Sequence, residues 1–447
     1  MTKSARKKAV TMLMSIEKDS AYVNIEMNKL RQSKDFTALD MRFIGEILNG
    51  VIRHKLTIDH VIALHSQTKL QKISPYILAV LRSGVYQILY MDKIPSSAAV
   101  NESVNLVKKS SVSRLSGYVN AVLRKVKPED IIFDESEDAG KIALKHSFPK
   151  WIIKRWVNDF GFEFAQRLAA SLNEHPPLFI RCNRLKCDIN ELKSILDDEQ
   201  IEYEDFRIKG FDGFKTCLKI KSPKSLLNTE AFSNGYFYVQ DPAAAVAAYV
   251  VSPLPGETVI DMCSAPGGKS LFMAELMENK GCIHSFDIYE HKIKLIESNA
   301  KKYGATIINA KISDATQYNP ELCESADRIL CDVPCSGLGI IRKKPDIKYS
   351  HTDSDVSKLS ELSLKILDNA SNYLKPGGTL VLSTCTVDKR ENEDVCERFL
   401  SSHSEFARAG FGDDGLGENG YKTFYPHIDG TDGFFVAKFV KRSNSND

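Results

Sequence analysis

Two cysteines in this 447-residue chain lie where thiol chemistry is possible. Cys335 lies in "CDVPCSGLG", and Cys385 lies in "VLSTCTVDKREN", where an apolar run that predicts a buried strand ends in Ser-Thr-Cys. A cysteine in that position can be a small core residue, a metal ligand or a nucleophile. Neither Cys182 and Cys187 nor Cys331 and Cys335 have the C-x-x-C spacing of a zinc knuckle, and no histidine pair accompanies them, so we expect no metal site.

Four aspartates each close or directly follow an apolar run: Asp261, Asp287, Asp314 and Asp332. Ligands of parallel sheets bind at the carboxyl ends of the strands, so these carboxylates are predicted to share one pocket. An acidic rim repels diphosphates and favours a cationic ligand such as the sulfonium of S-adenosylmethionine. Asp287 is expected to bind the ribose hydroxyls and Asp314 to lie near the adenine. One such acid is more simply a cap, whereas four in succession favour a ligand.

A stretch with two adjacent glycines, "CSAPGGKS", follows the first of these strands. Gly267 and Gly268 let the backbone approach a ligand at a helix N-terminus. The spacing matches neither G-x-G-x-x-G nor the G-x-x-x-x-G-K-[ST] of a P-loop. A phosphate cradle is therefore disfavoured.

The surrounding pattern predicts the elements that position these residues. Five short apolar runs, "TVIDMC", "CIHSFDI", "ATIINAKI", "RILCDVP" and "GTLVLSTC", alternate with helical stretches, which is typical of a parallel, doubly wound, Rossmann-like sheet. Runs near "KTFYP" and "GFFVAKFVK" are expected to close its edge. Upstream, residues 4–126 have helical periodicity only, and "PLFIRCN", "DINELKSILDDEQ", "CLKIK" and "YFYVQD" alternate strand and helix. We predict an all-α domain over 1–140, a small α+β module over 141–235 and an α/β domain over 236–447, with a polar linker over 127–145.

The composition of the chain limits its class, its location and its possible partners. With 43% hydrophobic and 26% charged residues, the chain has a globular composition, no apolar run of membrane-spanning length and no secretory signal, so we expect a cytoplasmic protein. The cysteines begin only at Cys182 and are irregularly spaced, as expected of free thiols. Net charge is +2, but residues 1–126 carry 20 Lys and Arg against 9 Asp and Glu. This excess predicts an anionic partner such as a phosphate backbone, and a solvated basic face explains it equally well.

Five motifs occur in a characteristic order: "DMCSAPGGKS", "DIYEHKI", "DATQYN", "CDVPCSGLGIIRKKPDIKY" and "STCTVDKREN". In these motifs the chain resembles the RNA cytosine-5 methyltransferases, specifically the RsmB (Sun/Fmu) type that modifies 16S ribosomal RNA. The resemblance spans nearly the whole chain, because the helical N-terminal domain is similar to the antitermination factor NusB. It departs from the family at "VQDPAAAVAA", Val239 to Ala248, where relatives often have Ser and Gln after the Gln-Asp pair.

The resemblance implies an S-adenosylmethionine-dependent methyltransferase in which Cys385 is the nucleophile and Cys335 assists product release. It further implies that the cofactor is surrounded by Asp332 together with Cys263, Ser264, Ala265, Pro266, Gly267, Gly268, Lys269, Asp287 and Asp314. The implied partner is 16S ribosomal RNA, with no DNA and no membrane, and we expect the protein to act as a monomer.

The chemistry of cytosine methylation independently requires these residue types. Thiolate addition at carbon 6 makes carbon 5 nucleophilic enough to accept a methyl group. An acid near the ring nitrogen stabilises the developing charge, a role that suits Asp332, and a second group must help the carbon 5 proton to leave. The remaining cysteines of this region, Cys263, Cys282, Cys323 and Cys331, are assigned to packing.

Alternative functions stay open at this point. A cytosine-5 methyltransferase of tRNA or large-subunit rRNA would carry the same motifs, and a non-catalytic RNA-binding assembly factor could keep the same fold. Intact Cys335 and Cys385 argue against the assembly factor. A DNA cytosine methyltransferase uses the Pro-Cys thiol as its nucleophile and does not explain the Thr-Cys.

Overall fold

The structure is a computed structural model that describes residues 4–19, 23–33, 35–133, 138–221, 226–413 and 417–443. It divides into two compact units. The N-terminal unit comprises Met1–Glu174 and Ile341–His351, and the C-terminal unit comprises His175–Ile340 and Thr352–Asp447. The segment 341–351 follows the Cys335 loop in the chain, yet it belongs to the N-terminal unit.

The helices of the described residues are, in chain order, α1 (Ala5–Asp19), α2 (Val23–Ser33), α3 (Ala38–Arg53), α4 (Lys55–His65), α5 (Pro75–Tyr90), α6 (Ser96–Lys108), α7 (Ser116–Leu123), α8 (Ala139–Lys145), α9 (Lys150–Phe160), α10 (Phe162–Ser171), α11 (Ile189–Asp198), α12 (Glu230–Ser233), α13 (Pro242–Val251), α14 (Gly268–Leu276), α15 (Glu290–Tyr303), α16 (Ile347–Ser350), α17 (Asp353–Tyr373), α18 (Glu393–Ser402) and α19 (Pro426–Asp429). Their strands are β1 (Leu178–Cys182), β2 (Tyr203–Asp205), β3 (Cys217–Ile220), β4 (Phe237–Val239), β5 (Thr258–Asp261), β6 (Cys282–Asp287), β7 (Ile308–Ile312), β8 (Ala326–Asp332), β9 (Leu374–Thr384), β10 (Phe406–Arg408), β11 (Tyr421–Phe424) and β12 (Phe434–Lys441). In the same described residues, no helix is both long and apolar enough to cross a membrane.

The N-terminal unit is helical because its apolar residues recur every three or four positions. In α3, Ile44, Ile47 and Val51 lie on one buried face. The helix begins with a capping box, in which the Thr37 hydroxyl accepts a hydrogen bond from the Asp40 backbone N–H and the Asp40 carboxylate accepts one from the Thr37 N–H. The prediction of an all-helical N-terminal region is confirmed.

The segment 341–351 is fixed in the N-terminal unit by Lys348 of α16. The Lys348 amine is fully buried and donates to the backbone oxygens of Arg53 at 2.9 Å and Ser147 at 3.1 Å, and to Oδ1 of Asn173 at 2.6 Å. Burial lowers the pKa of the Lys348 amine well below its usual value, and the charge of Arg53 adds to this effect. The end of the motif "CDVPCSGLGIIRKKPDIKY", which contains Lys348, therefore has a structural role in the N-terminal unit.

The predicted linker over 127–145 is wrong in its second half. Helix α8 occupies 139–145, and its Ile142 and Ala143 are buried. It packs on α4 and α9 as part of the helical unit. Residues 134–137, the acidic part of this stretch, lie outside the described residues.

The C-terminal unit begins with a small antiparallel sheet in the order β2-β3-β1-β4. The strands predicted from "PLFIRCN", "CLKIK" and "YFYVQD" are β1, β3 and β4, and the predicted helix is α11. Strand β2 escaped prediction because its three residues, "YED", are mostly exposed and show no apolar alternation.

The large sheet has the order β10-β12-β9-β8-β5-β6-β7, with β11 beside β12. The five predicted core strands, β5 to β9, are all parallel to one another, and β12 pairs with β9 antiparallel at the predicted edge. The short strand β10 was not predicted. The strand order reverses at β5, so the carboxyl ends of β5, β6 and β8 border the crevice in which ligands of such sheets bind.

Candidate active site

The two predicted thiols meet at the ends of neighbouring parallel strands. Asp332 of β8 lies opposite Ser383 of β9, so the residues that follow each strand emerge side by side. The Sγ atoms of Cys335 and Cys385 are 3.2 Å apart, and the Cys385 backbone N–H donates to Cys335 Sγ at 3.3 Å. Both cysteines are only partly buried. The pair is therefore two adjacent thiols that an outside molecule can reach.

A close backbone approach holds the two thiol loops together. The Gly339 N–H donates to the carbonyl oxygen of Cys385 at 3.0 Å, and the Gly433 N–H donates to the carbonyl oxygen of Gly339 at 2.9 Å. A Cβ atom on Gly339 would lie 2.0 Å from the Gly433 carbonyl oxygen. Any side chain at Gly339 would therefore push these loops apart.

Asp332 is held by two side chains, Lys269 of α14 and Ser383 of β9. The Lys269 amine donates to Oδ2 at 2.7 Å, and the Ser383 hydroxyl donates to Oδ1 at 2.7 Å. Although burial acts to lower it, the pKa of Lys269 is raised, mainly by Asp332 and then by Asp261. Lys269 is thus a fixed cation beside Asp332, a partnership that sequence reasoning did not anticipate.

The predicted cofactor turn connects β5 to α14. The Ser264 backbone N–H donates to the Phe286 carbonyl oxygen at 2.8 Å, and the Gly267 N–H donates to the Ser264 carbonyl oxygen at 2.7 Å. Gly267 has φ of +99°, a left-handed conformation that favours glycine, and α14 begins at the next residue. Cys263, Ala265 and Pro266 lie in the same turn.

Asp261 at the end of β5 is fully buried and supplies a free acceptor. Its Oδ2 accepts from the Ser270 hydroxyl at 2.6 Å, whereas its Oδ1 is a buried oxygen without a hydrogen-bond partner within the described chain. Burial raises the pKa of Asp261 to about 6, and the charge of Asp332 acts in the same direction.

The two other predicted carboxylates follow the next strands of the sheet. Asp287 ends β6, where its carboxylate accepts from the Tyr289 N–H at 3.3 Å and from the Lys292 amine at 3.2 Å. Asp314 follows β7 and accepts from the Thr316 hydroxyl at 2.7 Å. Because β5, β6, β7 and β8 are neighbours, the four aspartates lie along one edge. Their oxygens and the free Asp261 acceptor fit a cationic ligand that carries hydroxyl groups, as S-adenosylmethionine does.

A buried ion pair supports the cofactor turn and was missed from the sequence. Arg181 of β1 donates to Oε1 of Glu275 in α14 at 2.5 Å, and both side chains are almost entirely buried. Arg181 also donates to the Gln240 side chain at 2.8 Å and lies over the Phe272 ring at 4.3 Å. The small sheet and the first helix after the turn are thereby locked together.

The cysteines assigned to packing do not all pack. Cys331 is fully buried among apolar side chains, as predicted. Cys323, in contrast, is exposed, so its assignment to packing is wrong, because it follows a short surface turn rather than a strand. Cys263 and Cys282 are partly buried.

The folds and this site together define a class: an S-adenosylmethionine-dependent methyltransferase with a Rossmann-like C-terminal domain and a NusB-like helical domain. Three family models match the chain in order: NusB family over residues 3–128, the RsmF/B-like ferredoxin-like domain over 148–221, and 16S rRNA methyltransferase RsmB/F over 248–440. The probable ribosomal RNA small subunit methyltransferase B of Bacillus subtilis is 35% identical over 98% of this chain and 99% of its own length. The chain therefore belongs to the RsmB family of S-adenosylmethionine-dependent rRNA methyltransferases.

Solved structures agree with this assignment. The crystal structure of PH0851 has a TM-score of 0.77 at 26% identity, covering 99% of this chain and 100% of that chain. A methyltransferase homolog protein from Pyrococcus horikoshii has a TM-score of 0.60 at 27% identity, covering 68% of this chain and 99% of the other.

Proposed function

We propose that this rRNA methyltransferase methylates carbon 5 of a cytosine in 16S ribosomal RNA through a covalent bond between Cys385 and carbon 6. The observation that carries the proposal is the 3.2 Å separation of the Cys335 and Cys385 sulfurs beside the Asp332 carboxylate. Methylation at a nucleophilic ring nitrogen or at a ribose hydroxyl needs no thiol, whereas the weakly nucleophilic carbon 5 needs one. Relatives named ribosomal RNA small subunit methyltransferase B support the 16S substrate.

Cys385 is proposed to act as the thiolate. Its addition to carbon 6 moves electron density to carbon 5 and toward the ring nitrogen, where the Asp332 carboxyl group hydrogen-bonds the base. S-adenosylmethionine supplies the electrophilic methyl group that carbon 5 accepts. Residues Cys263 to Lys269, with Asp287 and Asp314, are proposed to hold this cofactor.

Cys335 is proposed to assist release. After methyl transfer, carbon 5 carries both a hydrogen and a methyl group, and the base is bonded to Cys385 at carbon 6. Removal of the carbon 5 proton by a base restores the double bond and expels the Cys385 thiolate, which leaves 5-methylcytosine. The Cys335 sulfur, beside the bond that must break, is the proposed participant in this proton removal.

Two single substitutions test the assignment of the thiols. Cys385→Ala is expected to abolish methylation and every covalent protein–RNA species. Cys335→Ala is expected to attack and methylate but to release slowly, so that a denaturation-resistant complex accumulates on gels. Packing loss alone predicts similar behaviour of the two variants, and a trapped complex with Cys385→Ala but not with Cys335→Ala would reverse the roles.

The substrate is tested by bisulfite mapping of ribosomal RNA from a deletion strain. One 16S cytosine is expected to lose its methyl group and to regain it when the wild-type gene is returned. Purified protein should also transfer labelled methyl groups to 16S rRNA. Transfer to tRNA or large-subunit rRNA instead would redirect the proposal, and absence of transfer to any RNA would favour a non-catalytic assembly factor.

A further inference from the structure

Glu391 is a buried acid next to the thiol pair, and no step described above uses it. It lies in the 3-10 turn Lys389–Glu391 and has no solvent-exposed surface. Its Oε1 accepts from the Ser336 backbone N–H at 2.7 Å, and its Oε2 accepts from the Ser336 hydroxyl at 2.5 Å. The Ser336 hydroxyl also lies 3.0 Å from the Thr386 hydroxyl. Ser336 follows Cys335 and Thr386 follows Cys385, so one carboxyl group ties together the residues next to both sulfurs.

The charges around the thiol pair are unequal. Glu391 binds the residue next to Cys335 and its charge acts on the Cys335 thiol, whereas the cationic amine of Lys269 from α14 acts on Cys385. Asp332 of β8 pairs with that amine. Asp388, a second acid near Glu391, is neutralised by an ion pair with Arg390 at 2.7 Å. A thiolate at Cys335 is therefore opposed by a neighbouring carboxylate, whereas the charge that acts on Cys385 is positive.

The pKa values follow this asymmetry. The pKa of the Cys335 thiol is raised well above its usual value, first by its hydrogen bond with Cys385, then by burial and by the charges of Cys385 and Glu391. Burial, with a smaller contribution from Asp388, raises the pKa of Glu391 to about 7, so Glu391 is charged in an increasing fraction of molecules above neutral pH.

We infer that Glu391 is a positioning residue that holds the two thiol loops together and keeps the proton of the pair on Cys335. This inference rests on the proposed thiol chemistry. Cys385 is thereby left as the thiolate that attacks. Once Cys385 is bonded to carbon 6, Cys335 must lose its proton to solvent before it can take the proton from carbon 5. The negative charge of Glu391 then strengthens the proton affinity of the Cys335 thiolate, so Glu391 acts through Cys335 at both stages.

Alkylation of the full-length protein, without RNA or cofactor, tests the inference. In a Cys385→Ser chain, which removes the sulfur–sulfur contact, the rate of Cys335 labelling by iodoacetamide is followed against pH by mass spectrometry. Adding Glu391→Gln keeps an oxygen acceptor for Ser336 but removes the charge. We expect the midpoint of Cys335 labelling to fall by about one pH unit. The matched control is Glu393→Gln, a nearby acid that accepts a hydrogen bond from Thr423 instead, and its midpoint should not move.

Two other cysteines of the same protein serve as controls for the labelling of Cys335. Exposed Cys323 gives a reference labelling rate, and labelling of the fully buried Cys331 reports unfolding. Should Glu391→Gln expose Cys331, Glu391→Ala replaces it as the variant without the charge. An unchanged Cys335 midpoint in a variant that keeps Cys331 protected would overturn the inference.

An assay with RNA separates this inference from the proposed function. With substrate RNA and S-adenosylmethionine, Glu391→Gln should accumulate more covalent complex than the wild type and less than Cys335→Ala. A shifted alkylation midpoint without any covalent complex in Cys335→Ala would retain the role of Glu391 and reject carbon 5 chemistry. If Glu391→Gln leaves the Cys335 midpoint unchanged and Cys335→Ala still accumulates the covalent complex, carbon 5 chemistry is retained and the role of Glu391 is rejected.

Discussion

The Lys269 amine donates a 2.7 Å hydrogen bond to Asp332 and interacts electrostatically with Cys385. One cation thus serves the carboxylate and the thiol that are proposed to act on the base. The amine also lies 5.3 Å from the centre of the Phe434 ring, which restricts its position. Lys269 was predicted as a residue of the cofactor turn, and these contacts give it a second role beside the proposed catalytic residues.

Lys269→Met should slow both alkylation of Cys385 and methyl transfer by about 10- to 100-fold, because the positive charge that interacts with Cys385 and holds Asp332 is lost. Cys385 labelling by iodoacetamide at pH 7 and labelled methyl transfer to RNA measure the two effects. The control is Lys280→Met, which removes a surface lysine paired with Glu278. Equal Cys385 labelling in both variants would contradict the role given to Lys269.

Asp287→Ala should weaken S-adenosylmethionine binding, because a charged acceptor for the ribose hydroxyls is removed. Such hydrogen bonds are worth roughly 1.5–3 kcal/mol, so the dissociation constant should rise about tenfold to a hundredfold. Calorimetry with the purified protein measures this change. The control is Glu290→Ala, which removes a nearby exposed acid that pairs with Lys294. Wild-type affinity in Asp287→Ala would reject the assignment.

Asp261 should make the cofactor-free protein less stable as pH rises. Its pKa is about 6 in the fold against 3.8 for an unperturbed aspartate, so the folded state holds a proton that the unfolded state has lost between these pH values. The stabilising effect of Asp261→Asn relative to wild type should therefore increase by ~1.5 kcal/mol between pH 5 and pH 8. Urea denaturation at both pH values measures this difference, and any constant effect of the substitution cancels. A difference that does not change with pH would contradict the prediction.

The sheet and its strand-end residues were predictable because both depend on local signals. An apolar run of strand length predicts a strand, and parallel strands of a doubly wound sheet bring their carboxyl ends to one edge. Cys335, Cys385 and the aspartates at these strand ends could therefore be grouped without a structure. Because β8 and β9 are consecutive strands in the chain, they could be expected to be neighbours in the sheet.

The supporting contacts could not be predicted, because they join distant parts of the chain. Arg181 and Glu275 are 94 positions apart, and Ser336 and Glu391 are 55 apart. No periodicity in the sequence marks either pair. The position of 341–351 in the helical unit likewise depends on oxygens that surround Lys348 only after folding.

The N-terminal unit should supply much of the affinity for RNA through its exposed basic residues. Removal of residues 1–126 is a poor test, because 139–174 and 341–351 belong to the same compact unit as these residues and would lose their packing partners. Surface substitutions avoid this problem: Lys108 and Lys109, at the end of α6, are both exposed. The double variant Lys108→Ala/Lys109→Ala should bind substrate RNA more weakly, because fewer counterions are released on binding.

The salt dependence of binding identifies this effect. The slope of log affinity against log salt concentration should become shallower by about 0.7–0.9 for each phosphate contact that is lost. S-adenosylmethionine binding should stay unchanged, since the cofactor residues lie in the C-terminal unit. The matched control is Lys280→Ala/Lys294→Ala, which removes two exposed lysines of the C-terminal unit. If both double variants keep the wild-type slope, the basic excess of residues 1–126 is a solvated face at these positions rather than an RNA contact.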